Sequence, residues 1–208
     1  MHVGMAAVFQ NPQKSRTDRD VYRQELRLAD LAEPLGFESI WGVEHHFTDY
    51  TMCPDVLQFL TYMAGRTQRA QLGSMVVVLP WHDPLRAAEE ISMLDNISDG
   101  RLILGLGCGW HQPEFDAFGY PFDHRVSAFA EGLEILIPLL RGERVTFEGR
   151  YHRAIDLELL PRPFRAGGPP ILIAGKRPRM LSLVARWADQ WNAAWYGPPA
   201  SAHELRQR

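Results

Sequence analysis

Cysteine is scarce in this chain of 208 residues, which contains Cys53 and Cys108 and no others. The two lie far apart and provide neither a CxxC pair nor a disulfide framework, which favours a reducing cytoplasm as the environment. A basic excess is also missing, because 22 Lys and Arg stand against 25 Asp and Glu. Nucleic acid and an anionic membrane surface are therefore excluded as principal partners.

Long apolar runs are missing as well. Charged residues interrupt every apolar stretch before it reaches the roughly 18 residues of a membrane-spanning helix. The N-terminal residues also lack the basic and apolar segments of a signal peptide. Because 46% of the residues are hydrophobic and 23% are charged, the composition is that of a globular protein. We expect a single domain over residues 1–208.

Short apolar runs alternate with amphipathic stretches, which predicts alternating strands and helices. The predicted strands are residues 5–9, 37–44, 72–79, 101–107, 170–174 and 190–195. The predicted helices are residues 18–35, 54–67, 84–97, 125–141 and 178–188, with a hairpin around Glu148 and Gly149. Strands that are apolar throughout indicate a parallel sheet covered by helices, either a closed (β/α)8 barrel or an open doubly wound sheet.

The number of units is low for a closed barrel. The sequence provides about six strand–helix units, whereas a (β/α)8 barrel takes about 250 residues. Ser201 and Glu204 resemble a capping box that begins another helix, of which only HELRQR is present. Two hypotheses follow: a shortened member of a barrel family, or a truncated product.

Three side chains with acid–base chemistry close the second predicted strand: Glu44, His45 and His46. An α/β barrel places its active-site residues at this end of its strands. Adjacent strand residues point to opposite faces, so the two histidines cannot bind one metal ion, and no metal site is predicted. One histidine, with Glu44 nearby, is a candidate acid or base; the alternative is two rim histidines hydrogen-bonded to neighbouring loops.

Glycines alternate at the end of the fourth predicted strand, in Gly105, Gly107 and Gly109. A strand end without side chains on one face lets a flat ring or a phosphate approach the backbone, and a tight strand-to-loop exit is the alternative. The pattern differs from the dinucleotide fingerprint, because residues 110–113 follow it instead of a helix.

Three cations cluster where the last predicted helix begins: Lys176, Arg177 and Arg179. The helix dipole disfavours a cation at this end by roughly 0.3–1 kcal/mol. We therefore expect an anionic partner such as a phosphate on the free N–H groups of the helix. Solvated surface cations are the alternative.

Four segments taken together resemble the bacterial luciferase-like family of flavin-dependent monooxygenases and oxidoreductases. They are WGVEHHFTDY, GSMVVVLPWHDPLRAAEEISMLD, SDGRLILGLGCGW and PPILIAGKRPRM. The resemblance extends from residue 1 to about residue 199 and implies an α/β fold of the (β/α)8 TIM-barrel type, shortened to about six units. It also implies that reduced FMN, bound at the carboxyl ends of the strands, oxidises a small organic substrate with oxygen.

The resemblance assigns roles to individual residues. His45 matches the family's catalytic histidine, which steers proton transfer around the flavin and substrate, and Glu44 is implied to line the flavin site. Met75 and Val76 match a position where the family often has a non-proline cis peptide against the flavin ring. The other cofactor-binding residues implied by the resemblance are Gly107, Cys108, Ala174, Gly175, Lys176, Arg179 and Asn192.

One departure from the family concerns the cofactor. Cys108 stands where many FMN-using relatives carry a phosphate-binding arginine, so Lys176 or Arg177 would substitute for it, or the cofactor would differ. The segment GCGWHQPEFDAFGYPF also resembles members that use the deazaflavin F420, whose chemistry is hydride transfer without oxygen. A third hypothesis is a non-catalytic flavin-binding or truncated subunit.

The resemblance also implies partners. The second and third predicted helices match the family's usual dimer interface, which predicts a homodimer or a paired subunit. A small organic molecule is the expected substrate, and a flavin reductase is a candidate partner that would supply reduced FMN.

Overall fold

The structure is a computed structural model that describes residues 2–193. The strands of its main sheet are β1 Gly4–Ala7, β2 Ser39–Gly42, β3 Gln71–Ser74, β4 Val77–Val78, β5 Leu102–Gly107, β8 Ile171–Ala174 and β9 Gln190–Asn192. The sheet is parallel and follows the order β1-β2-β3-β5-β8-β9, with β4 pairing to β5. Between β5 and β8 lies the predicted hairpin, β6 Val145–Glu148 and β7 Arg153–Leu157.

The parallel sheet predicted from the apolar strands is confirmed, and it curls into a half-barrel. All six residues of β5 are buried, because helices cover one face of the sheet and side chains of neighbouring strands fill the other. The fully buried core includes Ile40, Leu72, Leu104 and Ile173 from the strands and Ile91, Phe129 and Leu133 from the helices. Within residues 2–193, β1 and β9 form the two edges of the sheet.

The helices are α1 Asp18–Ala32, α2 Val56–Ala64, α3 Pro84–Ile97, α4 Gln112–Phe118, α5 Arg125–Leu140 and α6 Pro178–Trp187. The side chains of Thr17, Asp55 and Asp83 accept backbone N–H groups at the starts of the first three helices. In the part of the chain that the structure describes, no helix has both the length and the apolar character that a membrane crossing requires.

Several sequence predictions need correction. The third predicted strand, residues 72–79, is divided into β3 and β4 by a cis peptide bond between Met75 and Val76. The cis bond itself is the one that the family resemblance implied.

A further correction concerns α4, which lies where the sequence indicated a loop after Gly109. Pro113 occupies the first turn of α4, where its missing N–H is not needed, and Gly119 closes the helix in a left-handed conformation with φ of 75°. The last predicted strand is observed as β9, and Trp195, Ser201 and Glu204 lie outside the described residues.

Candidate active site

Two clusters of charged side chains lie at the carboxyl end of the sheet. One follows β2 and includes the loop after β4 and the first turn of α4. The other is formed by the ends of β5 and β8 and the first turns of α5 and α6. Because the carboxyl ends of parallel strands meet at one edge of the sheet, segments far apart in sequence are brought to the same side of the molecule.

Glu44 is the centre of the first cluster's inner part and is 2% exposed. Its Oε1 lies 2.7 Å from His82 Nε2 and 3.2 Å from His46 Nε2, and its Oε2 accepts the Val78 N–H at 2.7 Å. Burial raises the pKa of Glu44, but the hydrogen bonds from these three partners outweigh it and lower the pKa below its usual value. Glu44 is therefore held as an anion.

His45 is paired with a different carboxylate. Its Nδ1 lies 2.9 Å from Glu114 Oε1, which also accepts the backbone N–H of His46 at 2.7 Å. Both His45 and Glu114 are nearly buried. Burial raises the pKa of Glu114, but these hydrogen bonds and the nearby histidines His45 and His111 outweigh it and lower the pKa.

The environment of the His45 ring is aromatic. The Tyr50 and Trp110 rings meet it edge to face, with centroids at 5.1 and 5.8 Å. Tyr50 and Trp110 are themselves partly exposed, at 41% and 65%. The aromatic side chains therefore form the boundary between the buried His45–Glu114 pair and the surface.

Glu44, His45 and His46 do not close the second strand as predicted, because β2 ends at Gly42 and they lie in the loop that follows it. In this loop the side chains of the two histidines contact different carboxylates, since His45 contacts Glu114 whereas His46 contacts Glu44. Glu44 was predicted beside the candidate acid–base histidine, but Glu114, the carboxylate that hydrogen-bonds His45, was not. Glu114 stands one position before Phe115, in a segment of the sequence that resembles F420-using members of the family, and this position could have indicated it. It was missed because the segment was not predicted to be helical.

The glycines of β5 make room for the neighbouring strands. A Cβ on Gly105 would lie 1.8 Å from the carbonyl oxygen of Ser74, and a Cβ on Gly107 would lie 2.6 Å from Val76 Cγ2. The Ser74 hydroxyl also donates to the Gly105 carbonyl and accepts the Gly105 N–H. Gly105 is thus required by strand contact, and Gly107 lies directly against Val76 of the cis peptide.

Cys108 adjoins a cation that sequence analysis missed. Burial raises the pKa of the Cys108 thiol, and the charge of the Arg125 guanidinium and a hydrogen bond from the Arg125 side chain oppose this effect. Arg125 lies in the first turn of α5, donates from Nη1 to the Phe122 carbonyl at 2.9 Å and stacks on the Phe122 ring at 3.8 Å. Its Nε is buried and has no hydrogen-bond partner among residues 2–193. Cys108 does not carry the positive charge of the arginine found at this position in many FMN-using relatives, but the guanidinium of Arg125 places a positive charge beside it.

The second cluster continues to the start of α6. Arg177 is the N-cap residue and makes no side-chain cap hydrogen bond, and the first turn of α6 contains no acidic residue. Lys176 and Arg179 are exposed, and Arg179 Nη2 donates to the Ser127 hydroxyl on α5 at 2.8 Å. The predicted cation-rich helix start is thereby confirmed as a structural feature, and it lies beside the first turns of α5.

The remaining predicted cofactor residues are brought together by β8 and β9. Ala174 is in register with Asn192, and the Gly175 N–H donates to the Asn192 carbonyl at 3.3 Å. A Cβ on Gly175 would lie 2.6 Å from Met180 Cβ, so only glycine lets β8 pass this closely to α6. Ala174, Gly175 and Asn192 therefore lie at the ends of β8 and β9, next to the cation-rich start of α6.

Comparisons with known proteins identify the family of the chain. The family model described as luciferase-like monooxygenase matches residues 1–208, and the chain belongs to that family. A curated relative, 4-hydroxyprotoasukamycin monooxygenase of Streptomyces nodosus subsp. asukaensis, is 34% identical over 82% of this chain and 46% of its own length. The chain spans about half the length of the curated relatives it matches.

Solved structures share the fold. A monooxygenase from Streptomyces bottropensis has a TM-score of 0.82 and 36% identity, covering 89% of this chain and 57% of that one. The oxygenating constituent of 3,6-diketocamphane monooxygenase from Pseudomonas putida, in complex with FMN, has a TM-score of 0.79 and 22% identity over 91% and 56%. The F420-dependent tetrahydromethanopterin reductase of Methanopyrus kandleri has a TM-score of 0.72 and 25% identity over 91% and 55%.

Proposed function

We propose that this chain provides the acid–base and phosphate-binding residues of a flavin-dependent monooxygenase that oxidises a small organic substrate. The observation that carries the proposal is the buried His45–Glu114 pair, with a separation of 2.9 Å, at the carboxyl end of the sheet. A histidine that is positioned by a buried carboxylate and lies behind aromatic rings is suited to moving a proton near neutral pH. The family membership supports the class of chemistry.

FMN fits the second cluster better than the sequence alone indicated. The buried Nε of Arg125 lacks a partner among the described residues, and the first turn of α6 has free N–H groups with no acidic side chain beside them. Arg125 and Arg179 would hold the phosphate, and Gly107 and Val76 would lie against the ring. When bound, reduced FMN supplies the electrons that activate oxygen for transfer to the substrate.

The roles of the two carboxylates differ. Glu114, which is held as an anion, accepts the Nδ1–H of His45 and so leaves Nε2 as the nitrogen that takes up or releases a proton. Glu44 positions His46 and His82 and keeps a fixed negative charge under the site. Because both carboxylates already accept several hydrogen bonds, we assign the proton transfer itself to His45.

The runner-up is F420-dependent hydride transfer, in which oxygen takes no part. Cys108 in place of an arginine and the similarity to the tetrahydromethanopterin reductase, which is F420-dependent, favour this alternative. His45 would then hold or release the proton that accompanies the hydride. The same residues therefore serve either cofactor, and binding experiments must separate the two.

Two partners follow from the proposal. A flavin reductase would supply reduced FMN, and a second copy of the chain or a paired subunit would cover the exposed apolar side chains of α2 and α3. These include Tyr62, Met93 and Ile97. Sedimentation of the chain at several concentrations tests self-association; a strictly monomeric chain at every concentration would contradict the homodimer.

The first experiment is an anaerobic fluorescence titration of the chain with reduced FMN, run beside an identical titration with F420. We expect saturable binding of reduced FMN near micromolar Kd, which corresponds to about −8 kcal/mol. Oxygen and a panel of aldehydes and sulfonates would then be added, with product formation as the readout. Binding of F420 alone would favour hydride transfer, and binding of neither would favour the non-catalytic hypothesis.

A further inference from the structure

Three side chains with atoms that can bind a metal ion come together at His45. One ligand atom from each of His45, His111 and Glu114 lies within 4.8 Å of the others. His45 Nδ1 is 2.9 Å from Glu114 Oε1, and His111 Nδ1 is 3.6 Å from Glu114 Oε2. Ligand atoms around a tetrahedral Zn²⁺, bound at about 2.0–2.2 Å, are separated by roughly 3.3–3.6 Å. Small side-chain adjustments would bring the three groups to this geometry.

A second, independent observation concerns the free oxygen of Glu114. Its side chain is 2% exposed, and its Oε2 is buried with no hydrogen-bond partner among the described residues. A buried carboxylate oxygen without a hydrogen-bond partner is costly, because its lost hydration is not replaced. Oε1, by contrast, is fixed by the His46 N–H. The carboxylate is therefore anchored through one oxygen and presents the other towards His111.

We propose that His45, His111 and Glu114 form a binding site for a divalent transition-metal ion of the Zn²⁺ type. The ion takes the place of the Nδ1 proton that Glu114 otherwise accepts from His45, so metal binding and proton transfer by His45 are alternative states of the site. Two imidazoles and one carboxylate are ligands that suit Zn²⁺ and its neighbours and do not suit Mg²⁺ or Ca²⁺, which prefer oxygen. Three protein ligands leave one coordination position open. The His111 side chain is 34% exposed, so the ion reaches the site from solvent on that side.

The contrast with Glu44 shows why this group is distinctive. Glu44 also contacts two histidines, His46 and His82, but both of its oxygens accept hydrogen bonds, one of them from the Val78 N–H. Glu114 keeps one oxygen without such a partner. The proposal departs from the expectation of no metal site, which considered His45 with His46, because the proposed ligand set contains His111 instead of His46.

The test is calorimetric titration of the chain, freed of metal by a chelator, with Zn²⁺ near neutral pH. We expect saturable binding of one ion per chain. His111→Ala should weaken this binding by about 10²-fold or more, since loss of even an outer partner of a metal ligand costs 10–100-fold. Glu114→Gln should have a similar effect. His2→Ala is the matched control, because His2 pairs with the exposed Glu38 at 3.1 Å, and it should leave the affinity unchanged.

Co²⁺ provides an optical readout of the same site. Bound in place of Zn²⁺, it should give a visible absorption band that His111→Ala abolishes and His2→Ala retains. Circular dichroism checks that each variant is folded; where Glu114→Gln is not, His111→Ala decides, because its side chain is partly exposed. Equal Zn²⁺ affinity of wild type and His111→Ala would overturn the proposal, as would an absence of saturable Zn²⁺ binding or equally tight Mg²⁺ binding. None of these measurements depends on the flavin, so their failure leaves the proposed function standing.

Discussion

The two charged clusters at the carboxyl end of the sheet differ in how their charges are compensated. The histidine–carboxylate cluster consists of Glu44, His45, His46, His82 and Glu114. The cation cluster consists of Arg125, Lys176, Arg177 and Arg179. The first is mostly buried, and each carboxylate accepts hydrogen bonds from within the protein. In the second, the three residues around the start of α6 are exposed, and no acidic residue lies in the first turn.

This difference indicates different tasks. Burying a carboxylate costs several kcal/mol unless hydrogen bonds replace its hydration, so the histidine–carboxylate cluster is organised before any ligand arrives. Cations at a helix N-terminus are each disfavoured by roughly 0.3–1 kcal/mol, and an external anion removes that cost. We therefore expect changes in the first cluster to alter reaction rate and changes in the second to alter cofactor affinity.

The largest expected effect is that of His45→Ala. Removing the acid–base group should lower turnover by about 10²–10⁴-fold, the usual contribution of such catalysis, at saturating flavin and substrate. The affinity for reduced FMN should stay within a few-fold of wild type, because His45 is not in the cation cluster. Turnover of the panel substrates and anaerobic titration measure the two quantities separately. His2→Ala is the control histidine, and unchanged turnover in His45→Ala would refute the assigned role.

The next prediction concerns Arg125. Arg125→Ala should weaken the binding of reduced FMN by about 10–100-fold, the value of one charge-assisted hydrogen bond at about 1.5–3 kcal/mol. The binding of riboflavin, which has no phosphate, should be nearly unaffected. Paired titrations with FMN and riboflavin measure the difference.

Arg186→Ala is the matched control for Arg125→Ala, since Arg186 lies in the last turn of α6, away from the cation cluster, and pairs with Glu134 of α5. It should bind both flavins as the wild type does. Equal losses of FMN and riboflavin in Arg125→Ala would indicate a structural role through its stacking on Phe122 and would remove the phosphate assignment.

Local patterns in the sequence were sufficient to predict the parallel sheet and the cation-rich start of α6. The residues that pattern analysis missed are those that depend on long-range contacts. Glu114 meets His45 across 69 positions in the chain, and α4, which carries it, has Pro113 in its first turn, which resembles a loop signal. Arg125 reaches Cys108 only because α5 returns to the end of β5. Neither contact leaves a periodic signal, so the partners became visible only in the folded chain.

His82→Gln tests the internal compensation of the histidine–carboxylate cluster. Burial lowers the pKa of His82, but the hydrogen bond to Glu44 and the charge of Glu44 outweigh it and raise the pKa above its usual 6.5. A raised pKa means that the stabilisation is fully present below 6.5 and is lost as the pH rises through the folded-state pKa. The variant should be less stable than wild type by about 1 kcal/mol at mildly acidic pH.

The stability difference between wild type and His82→Gln should then shrink in alkaline solution. Denaturant unfolding of both chains, followed from mildly acidic to alkaline pH, measures it. Because a neutral His82 can still donate to Glu44, a smaller difference should persist at high pH. A difference that does not change with pH would show that protonated His82 does not stabilise the fold.

The smallest expected effect is that of salt concentration on FMN binding and on turnover, which should differ between the two clusters. Screening lengths fall from about 10 Å at 0.1 M to about 3 Å at 1 M salt, and exposed charges respond much more than buried ones. Reduced FMN should therefore bind a few-fold more weakly at high salt, while turnover at saturating FMN, which depends on the buried His45–Glu114 pair, should change little. Riboflavin binding should be insensitive to salt because it lacks the phosphate charge. If FMN binding does not respond to salt, the exposed cations are not the groups that attract the cofactor. If turnover at saturating flavin responds to salt, the reaction does not depend on the buried pair alone. Either result would contradict the assignment of cofactor binding to one cluster and of proton transfer to the other.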